Sequence, residues 1–214
     1  GIEFERAEFN FAGGTVSGSG RFSEESMDFN MNFDDIPASL LALAGINQFE
    51  GNAKGNISLS GAVTQPNARA SFSFNDMRLH ETQFARLPSF DLSGNAQLQS
   101  GRLECDLVLE SQSGPPFELK MSLPARLSLA PFSFSIPKDE DISGRISGGI
   151  DLENISTFAG IYDQKFNGYL SADFDIKGTV RSPVTSGGAR LEKGDYENFN
   201  TGSIIKDITM EVSA

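Results

Sequence analysis

Met27-Asp28-Phe29-Asn30-Met31-Asn32-Phe33 puts a large apolar side chain on every second residue, with Asp or Asn between them. Successive side chains of an extended strand point to opposite faces, so this stretch reads as a strand with one greasy and one wet side. The same period returns at Ile57/Leu59, Phe72/Phe74, Leu103/Cys105/Leu107/Leu109, Phe117/Leu119/Met121/Leu123 and Phe132/Phe134/Ile136. It continues through Ile146/Gly148/Ile150/Leu152, Phe174/Ile176, Ala189/Leu191 and Ile208/Met210/Val212. Between these runs stand turn signals such as Gly13-Gly14, Ser60-Gly61, Asn75-Asp76, Ser100-Gly101 and Lys193-Gly194-Asp195. A spacing of roughly ten residues from turn to turn predicts about sixteen antiparallel strands, an all-β chain.

Two segments depart from the alternation. Asp35-Ile36-Pro37-Ala38-Ser39-Leu40-Leu41-Ala42-Leu43-Ala44-Gly45 reads as a short helix, with Asp34 or Asp35 as cap, Pro37 in the first turn and Gly45 past the end. Asn154 through Tyr162 reads as a second, with Asn154 as its cap.

The chain also repeats itself at an offset of 117 residues: Gly51 to Gly168, Gly61 to Gly178, Pro66 to Pro183. Phe49-Glu50-Gly51 and Phe166-Asn167-Gly168 open the matching stretches, and each expected helix precedes its own. Periodic recurrence predicts a repeat architecture rather than a compact enzyme domain. The first copy covers roughly 27–143 and a partial second roughly 144–214, so 1–214 reads as one continuous piece of a longer array.

One-faced strands in this number cannot be covered by two short helices. They must close into a barrel, pair as a sandwich or curl into an open trough. Sandwiches usually carry Trp or Tyr anchors, whereas this chain has no Trp among its 214 residues. A repeating chain extends rather than closes, which favours the trough, with a long axis of roughly 70–80 Å for sixteen strands.

The formal charge of −12, from 17 Lys and Arg against 29 Asp and Glu, disfavours nucleic acid and anionic membrane surfaces as partners. Cys105 is the only cysteine, sits in the inward phase between Leu103 and Leu107, and reads as a small buried hydrophobe. His80, the only histidine, reads as a solvated strand-end residue. Asp139-Glu140-Asp141 lacks the spaced oxygens of a Ca²⁺ loop and reads as a solvated acidic turn. No nucleophile elbow or phosphate loop is present, so no enzyme, metal or cofactor is expected.

Leu59-Ser60-Gly61-Ala62-Val63-Thr64-Gln65-Pro66 and Ile176-Lys177-Gly178-Thr179-Val180-Arg181-Ser182-Pro183, each preceded by the expected helix and its Phe-x-Gly, carry a likeness to a known family. The chain resembles the TamB family, the translocation and assembly module subunits of the AsmA-like superfamily. The resemblance implies a periplasmic protein, anchored in the bacterial inner membrane through its full-length parent. It implies a mostly antiparallel sheet curled into a taco or half-pipe with a hydrophobic interior. It also implies an Omp85-type outer-membrane barrel as partner, and cargo of phospholipid acyl chains or amphipathic outer-membrane protein segments.

On that reading the groove is lined by Ile57, Leu59, Phe72, Phe74, Leu103, Leu107, Leu109, Leu119, Met121, Phe132, Phe134, Phe174 and Ile176. Two rivals stand beside it: a structural or adhesive β-solenoid or sandwich of a secreted surface protein, whose apolar interior is dry core, and a polysaccharide-binding sandwich. The second calls for exposed aromatic platforms, while these Phe residues lie mostly in the inward phase.

Overall fold

The computed structural model describes residues 1–11, 13–38, 49–79, 89–111, 115–152 and 163–213. Fourteen strands are found among them: β1 Ile2–Phe11, β2 Gly14–Phe22, β3 Ser26–Pro37, β4 Phe49–Ala62, β5 Gln65–Leu79, β6 Phe90–Gln99 and β7 Arg102–Ser111. They continue with β8 Phe117–Pro124, β9 Arg126–Leu129, β10 Phe132–Ser135, β11 Ser143–Asp151, β12 Gln164–Gly178, β13 Pro183–Asn198 and β14 Ser203–Ser213. Twelve form a single antiparallel sheet in chain order, β1 to β8 and then β11 to β14, which does not close. Its eleven interstrand steps span about 53 Å, shorter than expected because two of the strands lie elsewhere. Those two, β9 and β10, form a separate hairpin between β8 and β11.

Two expected turns are bulges inside long strands, which accounts for fourteen strands in place of about sixteen. Asp76 (φ 52°) lies within β5 and Lys193 (φ 51°) within β13. One residue in the left-handed region shifts the register without reversing the chain. The ladders show this as shifts between Phe74 and Met77 and between Leu191 and Gly194. The Asp76 N–H is held by the Asp91 carboxylate at 2.8 Å.

A second pair of bulges sits at Gly51 (φ 120°) and Gly168 (φ 118°), and a pair of turns at Gly61 (φ 94°) and Gly178 (φ 95°).

The expected first helix does not begin at Asp35. Asp34 to Pro37 belong to β3, and Asp35 takes φ 53° where the ladder shifts, so the strand runs on through the supposed cap while its alternation slips by one residue. Residues 39–45 of that helix, Asn154 to Tyr162 of the second, and His80 lie outside the described residues.

Alternation decides which face each side chain occupies. Phe9, Val16, Phe33, Gly55, Phe72, Gly94, Leu107, Leu119, Ile146, Phe174 and Gly187 form an unbroken transverse row over eleven strands. One residue away, on the other face, runs Asn32, Asn56, Ser71, Asn95, Asp106, Lys120, Arg145 and Asp175. Over β3 to β8, β11 and β12 the sheet is thus apolar on one side and polar on the other.

Its apolar side has little core. Only Met27, Ala38, Ala53, Met77, Leu98 and Ala125 are buried hydrophobics among the described residues, and the largest fully buried side chain is Pro124. The chain exposes 13343 Å², against about 9,700 Å² for a compact monomer of its 23.1 kDa.

Candidate functional site: the apolar face of the sheet

Glycine shapes the floor of this face. A methyl group at Gly94 would stand 2.8 Å from Phe72 Cζ and 2.5 Å from Leu107 Cδ2. One at Gly55 would meet Phe33 Cζ at 2.5 Å, and one at Gly144 the Met121 Sδ at 2.9 Å. Large side chains therefore lie down over glycines of the adjoining strand instead of standing up from the sheet. At these places a ring, an isobutyl group or a thioether covers the glycine. Phe4, Phe22 and Phe29 extend the face near β1, with ring centroids 6.0–6.4 Å apart.

Eleven of the thirteen expected lining residues come together here. Leu59 and Leu103 lie in the row Phe29, Leu59, Ala68, Leu98, Leu103, Leu123. Ile57, Met121 and Ile176 lie in the row Met31, Ile57, Ala70, Ala96, Cys105, Met121, Gly144, Ile176. Phe72, Leu107, Leu119 and Phe174 share the eleven-strand row, and Phe74 and Leu109 pair through Leu92. Phe132 and Phe134 are not on this sheet; they stand on β10 of the hairpin, 76% and 52% exposed. Gly55, Gly94 and Gly144 were missed from the lining, although a glycine in the inward phase of an alternating strand was a readable signal.

All eleven are half-buried. Two sheets packed face to face about 10 Å apart would bury such side chains fully, and solvent on every side would leave them exposed. Intermediate burial at all eleven matches neither case: the face is only partly covered.

Cys105 sits mid-row on this floor, between Ala96 and Met121. Burial pushes its thiol pKa up, and the Asp106 carboxylate adds to the rise. The thiolate is the reactive form, so alkylation at mildly alkaline pH is expected to be slower than for an unstructured cysteine. The rate should climb over a range displaced to higher pH. A thiol that alkylates like a free one would place Cys105 off the sheltered floor.

The polar face offers a shallow hollow of about 450 Å³ bounded by Asn56, Ser58, Arg69, Asn95, Gln97, Glu104 and Asp106. It holds no nucleophile paired with a base. No group of three or more His, Cys, Asp or Glu able to hold a metal ion occurs among the described residues.

These features define a class: an open, all-β, antiparallel sheet with one continuous apolar face. No protein-family model, curated protein or solved structure matches the chain.

Proposed function

We propose that this chain is a length of hydrophobic conduit, a TamB-like element that carries phospholipid acyl chains, or amphipathic outer-membrane protein segments, across the periplasm. The observation that carries the reading is the apolar face running over eleven strands, half-buried at the eleven expected lining residues, with few buried hydrophobics among the described residues. Sheltering hydrocarbon is worth roughly 0.8 kcal/mol per CH₂, so a tail of about fifteen carbons gains on the order of 10 kcal/mol before ordering costs. A floor without fixed polar anchors lets such a tail slide.

On this reading the sheet curls into a taco, and two short helices rest against its rim. The inner-membrane-anchored parent meets an Omp85-type barrel at the far end. The repeat supports an extended array. Gly51 and Gly168, Gly61 and Gly178, and Asp76 and Lys193 stand 117 residues apart with backbone φ values within 2° of each other. Leu59 pairs with Ala68 as Ile176 pairs with Thr185, again in phase. The likeness weakens at the start of the copies, where Met27 faces Gly61 but Gly144 faces Ile176, two residues out of step.

The rival adhesive or structural module needs a dry interior. Extraction of the purified chain followed by lipid mass spectrometry separates the two: phospholipid bound in stoichiometric amount is expected, and a chain that stays lipid-free when offered phospholipid in detergent would refute the conduit.

A further inference from the structure

The β9–β10 hairpin interrupts a meander that otherwise runs strand to neighbouring strand, since β8 pairs directly with β11. It sits at the end of the strands where the β4–β5 and β6–β7 turns lie. The Leu129 N–H donates to Val63 O at 2.8 Å, the Ala125 N–H to Gly101 O at 3.0 Å, and Arg126 Nη1 to the same Gly101 oxygen at 2.7 Å. Pro124 and Ala125 are buried where the hairpin leaves β8, and Leu98, the β6 member of the outermost lining row, is buried within the sheet. Leu129 faces Phe132 and Leu127 faces Phe134 across the hairpin, so the four side chains share one side. The two leucines are half-buried, while the two phenylalanines, and Ile136 just beyond, are exposed.

We propose that this hairpin is an entry lip, which takes up the acyl chain of a zwitterionic phospholipid and passes it to the apolar face. The inference rests on the conduit reading above. Three observations select the occupant. First, the hairpin is tied by Leu129 N–H to Val63 O and by Ala125 N–H to Gly101 O, at the strand ends beside the outermost lining row of Leu59, Leu98 and Leu103. Second, β10 has only four residues and is flanked by Pro131 and Pro137, too short and too interrupted an edge to take on a polypeptide strand. Third, the charges beside the lip nearly cancel. Arg126 pairs with Glu140 and Arg181 with Asp139, each at 2.7 Å. Lys138 and Asp141 remain without an ion-pair partner among the described residues, one cation and one anion for a headgroup that carries both.

Because the chain lacks Trp, a single introduced indole reports one place. Phe134→Trp reads the lip and Leu107→Trp reads the floor, each mixed with phosphatidylcholine vesicles whose acyl chains carry bromine as quencher. Both indoles should be quenched. In the Leu107→Trp background, Phe132→Ser with Phe134→Ser should slow floor quenching about tenfold and leave its end point unchanged, with an unaltered circular dichroism spectrum. Floor quenching at the original rate overturns the lip and leaves the conduit standing. A floor that is never quenched overturns the conduit and the lip with it. Quenching at Phe134→Trp alone marks mere contact with the vesicle surface and also overturns the proposal. Vesicles of phosphatidylglycerol should load more slowly, and equal loading would remove the headgroup assignment.

Discussion

Leu107→Asp is expected to leave the chain folded and to abolish phospholipid binding. Leu107 lies mid-row, with its Cδ2 over Gly94 and Leu119 beside it, and is half-buried rather than enclosed. A carboxylate placed there reaches water above the floor, so the expected loss of stability is no more than about 2 kcal/mol. In a dry interior the same unpaired charge would cost on the order of 4 kcal/mol or more and unfold the chain. Every tail sliding along the row would have to displace the water around that charge, which blocks passage. Protonation removes the obstacle: the apolar neighbours raise a carboxyl pKa, so binding should return as the pH is lowered. Thermal unfolding and bound-lipid mass spectrometry on the same sample provide the check, alongside outer-membrane integrity of cells carrying the change in a full-length parent. A variant that folds and binds lipid normally would refute the conduit.

Gly51→Ala and Gly168→Ala should each destabilise the chain by about 2–3 kcal/mol, and by nearly equal amounts. Both glycines hold φ near +120°, a region that side chains rarely enter. An added methyl would meet Asn75 O at 2.7 Å and Asp76 O at 3.0 Å in the first case. In the second it would meet Glu192 O at 2.9 Å and Lys193 O at 3.0 Å, the same positions 117 residues on. Gly202→Ala supplies the contrast. With φ 70° and open space around it, that change should cost only about 1 kcal/mol. Denaturant midpoints of the three variants decide the matter. A large difference between Gly51→Ala and Gly168→Ala would show that the two bulges are not structural equivalents.

The face of the sheet was legible because its code is local. Polar and apolar residues alternate along β3, β7 and β8, and eleven expected lining residues share a side by that rule alone. Bulges were not legible, since Asn75-Asp76 and Lys193-Gly194-Asp195 carry the residue types of true turns. Whether a left-handed residue reverses a strand or only shifts it depends on the ladder on either side, as with Asp91 holding the Asp76 N–H. Asp35 misled in the same way: an Asp before Ile-Pro reads as a helix cap, yet here it is another left-handed residue within β3. Phe132 and Phe134 share the alternation of the lining strands. Pro131 and Pro137 on either side hinted that they stand apart from the ladder.

Because each strand of the sheet pairs with its neighbour in the chain, almost every ladder closes only a short stretch of polypeptide. Assembly therefore needs no distant partner and can spread from any nucleus, one hairpin at a time, as in other proteins built from adjacent units. The exception is β8 with β11, whose union must wait for the residues between Pro124 and Ser143 to be in place. A chain delivered progressively from one end would zip quickly to β8, pause there, and resume only after β11 had arrived.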